Sequence, residues 1–290
     1  MGTTCGPRPG VRAVPEGPTV TTPLLILVLL GGTPGQQPPD GAPIDTKAEA
    51  EDANSGAKKL VGEFVVRLDG SSDRTLRLEP EPVLRWTNHL ERRFYGDVFV
   101  WTHDGRPEVL ASVNNVFQPG RHARETELLS LSEGRPVLSH DGRVVWEPTE
   151  PGVELKPLPG APKVGPTAAA RLQQMRALAA QFSVVADYGG RKEEKEALRM
   201  LSTPIYRYQS GGRGVVDGAL FAFSKGTDPE AILVVEARGK KDAEWQFAFG
   251  RLNGWCSFRA VFKDKAVWQV EKLDGKTIAD RKQPYYGYRK

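Results

Sequence analysis

Three Asp-Gly pairs, Asp69-Gly70, Asp104-Gly105 and Asp141-Gly142, constrain the first half of this chain more than any other feature. Asp and Gly tolerate the successive positive φ angles of a tight hairpin turn, so a pair between two apolar runs makes the chain double back on itself. The run from Asp97 to Thr102, the turn His103-Asp104-Gly105-Arg106 and the run from Pro107 to Val113 form the clearest hairpin. Its continuous apolar character predicts burial on both faces. The phrase His-Asp-Gly-Arg recurs at His140 to Arg143, ahead of Val144-Val145-Trp146. With 31 Gly and 23 Pro among 290 residues, a bundle of long helices is excluded.

The fold class expected is therefore α+β: mainly antiparallel sheet in two closely packed lobes, with one long amphipathic helix at about 166–188 covering the second sheet. Pro166 and Thr167 suit a helix start, and Leu172, Met175, Leu178, Phe182 and Val185 follow at helical spacing. A shorter helix is expected from Glu193 to Leu201, then strands at 205–209, 215–224, 231–238, 244–250, 255–263 and 266–273. Trp245, Phe247 and Phe249 alternate with Gln246 and Ala248, which gives one strand an aromatic face for Met175 and Leu178 to cover. The β-rich lobe spans 60–147 and the helix-plus-sheet lobe 166–285, with a tail at 286–290. Between the lobes, residues 148–166 hold six prolines, so a connector is expected over 148–165.

Arg8 and Arg12, the apolar run Leu24 to Leu30 and the small residues after it have the order of a secretory leader over residues 1–35. The run is too short to span a bilayer stably. A secreted or periplasmic protein is expected, with no membrane span after cleavage; an uncleaved tether is the alternative. Ile44 is the only large apolar residue between Gly31 and Lys59, so 36–59 reads as a disordered linker. Loss of the leader removes Cys5 and leaves Cys256 alone, which excludes disulfides and fits a small core side chain.

The net charge of +4 is terminal, since residues 276–290 alone contribute +4 and the body from 35 to 275 carries −1. Such a body cannot neutralise a run of phosphates, and no nucleic-acid partner is expected. No phosphate loop, dinucleotide fingerprint, zinc-ligand spacing or nucleophile elbow occurs, so no cofactor, no metal and no catalytic residue is assigned. The cluster Arg85, Trp86 and Asn88 combines a planar cation, a large aromatic and an amide, the equipment of a ligand-contact surface. The competing reading is a hydrolase using carboxylates or histidines of the body, such as Asp217 paired with Asp228 or Glu236, His103 or His140.

Several strings carry a family resemblance: Leu84 to Asn88, Tyr95 to Thr102 with Gly105 to Glu108, Leu129 to Ser132, Pro157 to Pro162, Met175 to Ala179, Asp217 to Phe223 and Gly226 to Glu230. Together they resemble a family of uncharacterised exported proteins of planctomycete bacteria, over most of residues 60–285. The resemblance implies export and a shared architecture, and it supplies no catalytic residue. The function expected is that of an exported, non-enzymatic binding or structural protein of the bacterial envelope, with an envelope ligand or protein as partner.

Overall fold

The computed structural model describes residues 46–89, 93–118, 120–189, 195–239 and 241–289. The expected leader over 1–35 and the first part of the expected linker lie outside them.

The rest of that linker is a correction. Thr46–Gly62 forms a helix, α1, with Ala53, Ala57 and Val61 buried at every fourth position. Small residues were what made this stretch look unburiable. They are what lets the helix lie close to its neighbours: a side chain at Gly56 would place its Cβ 2.0 Å from Arg124 Nη2.

After α1 come β1 (Phe64–Leu68), a 3-10 turn (Ser72–Arg74), β2 (Arg77–Leu78), β3 (Leu84–Asn88), β4 (Arg93–His103), β5 (Arg106–Gln118), β6 (Arg121–Ser130), β7 (Pro136–His140) and β8 (Arg143–Trp146). Two of the three expected hairpins form, and Asp69-Gly70 instead leads from β1 into the 3-10 turn. Asp104-Gly105 joins β4 to β5 and Asp141-Gly142 joins β7 to β8, each with both residues at positive φ. The Pro-rich connector contributes β9 (Lys156–Pro157), an edge strand whose residues lie opposite Gln246 and Phe247.

Then follow α2 (Ala168–Ala179), β10 (Phe182–Asp187), β11 (Lys195–Ala197), β12 (Arg199–Met200), β13 (Tyr206–Ser210), β14 (Val215–Lys225), β15 (Asp228–Arg238), β16 (Glu244–Arg251), β17 (Ser257–Phe262), β18 (Lys265–Val270), a short helix α3 (Gly275–Ile278) and β19 (Tyr285–Tyr288). The long helix expected over 166–188 is thus shorter. Thr167 caps its start by accepting a hydrogen bond from the Ala170 amide, but the helix ends at Ala179. Phe182, Val184 and Ala186 then point inward at period two, as a strand paired with β17. Leu178, Phe182 and Val185 fit a helical spacing by coincidence, and the tertiary pairing decides. The short helix expected from 193 to 201 is replaced, within its described residues, by β11 and β12. The expected tail is also corrected: β19 pairs with β6, with Tyr285 and Tyr288 buried, and so covers a sheet edge.

Every strand pair among the described residues is antiparallel. One six-stranded sheet has the order β19-β6-β5-β4-β2, with β3 also on β4; the other runs β12-β14-β15-β16-β9, with β13 also on β14. Smaller sheets, β1-β7-β8 and β11-β10-β17-β18, accompany them.

The chain performs the same construction twice. In each half a helix leads into a strand of the small sheet, two short strands pair with the first strand of a three-stranded meander, and a hairpin returns to the small sheet. Gly96, Pro107 and Trp146 recur 122 residues later as Gly218, Pro229 and Trp268. Both meanders have a bulge where that proline sits, after Trp101 in β4 and after Phe223 in β14. A proline lacks the ladder N–H, and the bulge relieves a central strand of supplying one.

Residues on alternate sides of the meanders fill three cores. Phe99, Trp101 and Val109 pack with Ala57 and Val61 of α1. Phe221, Leu233, Trp245, Phe247 and Phe249 pack with Met175 and Leu178 of α2. Val98, Val100, Leu110 and Leu129 meet Leu220, Ile232, Val234 and Ala248 in the third core, where the two large sheets face one another. Burial of each such side chain contributes roughly 1.5–3 kcal/mol. The expected lobes therefore share a core, and the described residues cohere as one unit. The contacts between halves exchange under the repeat. Gly105 lies against the Gln209 carbonyl as its counterpart Thr227 lies against the Thr87 carbonyl, and Leu129, opposite Leu110, packs on Gly250, which holds the same register position opposite Ile232. That is the pattern of an approximate twofold relation.

No helix among the described residues is long and apolar enough to cross a membrane.

Candidate functional site

The interface between the large sheets is apolar at its centre and polar at its two ends, and the ends differ. On β3, β4 and β5 the residues Trp86, Gly96 and Asn114 lie side by side. Their counterparts on β13, β14 and β15 are Tyr208, Gly218 and Glu236. Each glycine makes room for the ring beside it, because an added Cβ would stand 2.1 Å from the Trp86 indole or 2.6 Å from the Tyr208 ring.

At the Tyr208 end the ring meets buried charge. Tyr208 donates to Glu236 Oε1 at 2.6 Å, and Arg106 Nε donates to the same oxygen at 2.8 Å. Arg106 also lies 3.3 Å from Glu108, Arg213 lies 3.3 Å from Glu108, and Arg238 lies 3.4 Å from Glu236. Arg106, Glu108 and Glu236 are fully buried. Burial and the facing carboxylate hold the Tyr208 hydroxyl far above its ordinary range, so it acts only as a donor.

At the Trp86 end the corresponding polar partner has turned away. Asn114 donates to Glu127 at 2.9 Å. Trp86 is 5% exposed, and its indole N–H finds no acceptor among the described residues. Trp86 lines a cleft of about 370 Å³ with Leu84, Arg85, Asp97, Arg199, Leu201 and Thr227 among its walls. Arg85 Nε donates to Asp97 at 3.1 Å, and Asp97 also accepts from Asn54 of α1 at 2.9 Å. Burial raises the Asp97 carboxyl, and the Asn54 and Arg85 bonds oppose the rise. Arg199 bonds only the Gly226 carbonyl, at 3.1 Å, among the described residues. The cleft is thus lined by two guanidinium groups and one carboxylate already engaged, by leucines, and by the Trp86 ring, whose buried N–H has no acceptor among the described residues.

Of the three residues expected to contact ligand, Arg85 and Trp86 line this cleft. Asn88, on the same face of β3 two residues beyond Trp86, is not part of its lining. Arg199, Leu201 and Thr227 carry no local signal, because only the packing of one half on the other delivers them here.

Behind the cleft lies a second polar group. The Arg106-Pro107-Glu108 corner of the first half recurs as Asp228-Pro229-Glu230, so an acid stands where the other end has its buried arginine. Burial, then the neighbouring Glu230 and Glu127 charges, push Asp228 well up; burial raises Glu230 against the 2.7 Å bond from Asn253. Burial takes Glu127 from an ordinary 4.5 up to about 8. A carboxyl with a raised folded-state pKa stabilises the fold while neutral. Its contribution is complete below about pH 4.5 and is lost as the pH rises through about 8. Glu127→Gln should remove that slope, gaining on the order of 3 kcal/mol over wild type between pH 5 and pH 9. Urea midpoints at the two pH values measure it; parallel pH profiles for the two proteins would contradict it.

The groups named for a hydrolase do not meet. Asp217 is held by Arg171 at 2.8 Å and by Arg207 at 2.7 Å, at the opposite end of the β14–β15 hairpin from Asp228. His103 belongs to the β4–β5 turn, and His140 bonds Glu63 and Tyr288 beside the small sheet. Cys256 is buried without a disulfide, and burial pushes its thiol up to about 12, as fits the core role expected of it. No family model, curated protein or solved structure matches this chain.

Proposed function

We propose that the protein is an exported, non-enzymatic binding protein of the bacterial envelope whose cleft at Trp86 holds a small organic anion, a carboxylate with an apolar body. The supporting observation is the buried Trp86 N–H, without an acceptor among the described residues, in the wall of a cleft that Arg199 also lines, a cation with no carboxylate partner among those residues. A buried donor without an acceptor is costly, and a ligand oxygen there relieves it while the guanidinium group neutralises its charge. Leu84 and Leu201 suit the apolar remainder, and the volume lies in the range of small-molecule sites. Separation of Asp217, Asp228, His103 and His140 weighs against the hydrolase alternative. Export rests on the leader alone, and the mature envelope protein should begin beyond the apolar run at Leu24 to Leu30.

Calorimetric titration with aromatic and branched aliphatic carboxylates, against their neutral amides, tests the reading. Carboxylates should bind and amides should bind at least tenfold more weakly. Trp86→Phe, which keeps a ring and removes the N–H, and Arg199→Met should each weaken binding by about tenfold. Equal binding of acid and amide, or no response to either substitution, would count against the site.

A further inference from the structure

We propose that Glu63, His140 and Asp141 form a binding site for a borderline divalent cation of the Zn2+ class, at the junction of α1, the β7–β8 turn and the C-terminal strand. One ligand atom from each residue lies within 4.8 Å of the other two. His140 Nε2 is 2.8 Å from Glu63 Oε2 and 3.8 Å from Asp141 Oδ2. Those separations bracket the roughly 3.3 Å edge of a tetrahedron with bonds of about 2.0–2.1 Å. One imidazole and two carboxylates, with a fourth position left to solvent, are a donor set for Zn2+ in preference to Ca2+ or Mg2+, which take oxygen ligands alone.

The imidazole is held for this task. Its side chain is 2% exposed, while those of Glu63 and Asp141 are 34% and 70% exposed, so the ring is fixed from within and the site opens outward. Phe64 packs edge-on against it at 5.0 Å, and the Tyr288 hydroxyl bonds Nδ1 at 2.5 Å. A tyrosine hydroxyl both donates and accepts, so it satisfies Nδ1 in either tautomer. With the proton on Nδ1 and donated to Tyr288, the Nε2 lone pair faces the two carboxylates, the arrangement in which an outer partner orients a metal-bound histidine. Either tautomer keeps the hydrogen bond to Tyr288, so a cation at Nε2 leaves the ring anchored on its far side.

The repeat supplies an internal comparison. Phe64 lies opposite His140 as Phe182 lies opposite Phe262, and both turns that follow have two residues at positive φ. In the second half the corresponding positions are Gln181, Phe262 and Lys263, which cannot supply this ligand set. The fold is therefore built equally well without these three side chains, and their convergence is particular to the first half.

The test uses the full chain, with Zn2+ titrated calorimetrically and Co2+ followed by its visible absorption. One Zn2+ per chain and a tetrahedral Co2+ spectrum are expected, with Mg2+ and Ca2+ failing to compete. Glu63→Gln and Asp141→Asn should each weaken Zn2+ binding at least tenfold; Asn keeps the left-handed turn accessible, so this variant folds. Tyr288→Phe should weaken it by about tenfold through loss of the orienting hydroxyl, and His103→Ala should leave it unchanged. Absence of binding at millimolar Zn2+, or binding undiminished in both Glu63→Gln and Asp141→Asn, would overturn the site. Should His140→Ala fail to fold, those two partly exposed positions still decide.

Discussion

Arg106→Leu is expected to destabilise the protein by about 3–5 kcal/mol, the loss that follows when one partner of a buried charge network is removed. Arg106 is fully buried between two fully buried glutamates, one from its own strand and one from the other half of the chain. Leucine fills part of the space but leaves Glu108 with only Arg213 and Glu236 with only Arg238 and the Tyr208 hydroxyl among the described residues. The penalty thus comes from stranded carboxylates more than from a lost attraction. The triple change Arg106→Leu, Glu108→Leu, Glu236→Leu should recover most of the loss, since an apolar replacement of a whole buried network is close to neutral. Chemical denaturation of wild type, the single variant and the triple variant provides the comparison. A single variant within 1 kcal/mol of wild type, or a triple variant less stable than the single one, would show that the network is not what joins this end of the sandwich.

Gly96→Ala should also be severe, at about 3 kcal/mol, although it adds one methyl group. That methyl would stand 2.1 Å from the Trp86 ring, and since the central strand carrying it is paired on both sides, the ring must give way. Trp86 should be forced toward solvent, with a red shift of its emission and loss of carboxylate binding. In a Trp86→Leu background the same substitution should cost less than about 1 kcal/mol, because the atom it strikes is gone. An equal cost in both backgrounds would place the strain elsewhere, in the backbone of β4. The counterpart substitution Gly218→Ala meets the Tyr208 ring at 2.6 Å and should follow the same rule.

Much of the architecture was legible before any coordinates. Asp104-Gly105 and Asp141-Gly142 announced their hairpins because the turn geometry depends on two adjacent residues and little else. Trp245, Phe247 and Phe249 announced a strand with one buried face, and Met175 and Leu178 do pack with them. The helix α1 was not legible, because its buried face is Ala53, Ala57 and Val61, and small residues signal burial only when something lies close enough to need them small. Nor was the end of α2, where Phe182 satisfies both a helical and a strand spacing. The repeat was present in the sequence in pairs such as Gly96 and Gly218, Pro107 and Pro229, Trp146 and Trp268, but scattered identities at an offset of 122 residues acquire meaning only once their strands are seen in register.

What the sequence by itself determined is the local grammar: where the chain turns, which strands alternate, and that Arg85 and Trp86 combine charge with an aromatic surface. What only the tertiary structure decided is which distant residues share a place. Arg199 and Thr227 reach Trp86 because one large sheet packs on the other, and Glu63 reaches His140 because β1 pairs with β7 in one register. The physical reason is that turns and periodicity are fixed by interactions within a few residues. A cleft or a ligand set is fixed by burying two apolar faces against each other, and that force is indifferent to which polar side chains it carries along at the rim.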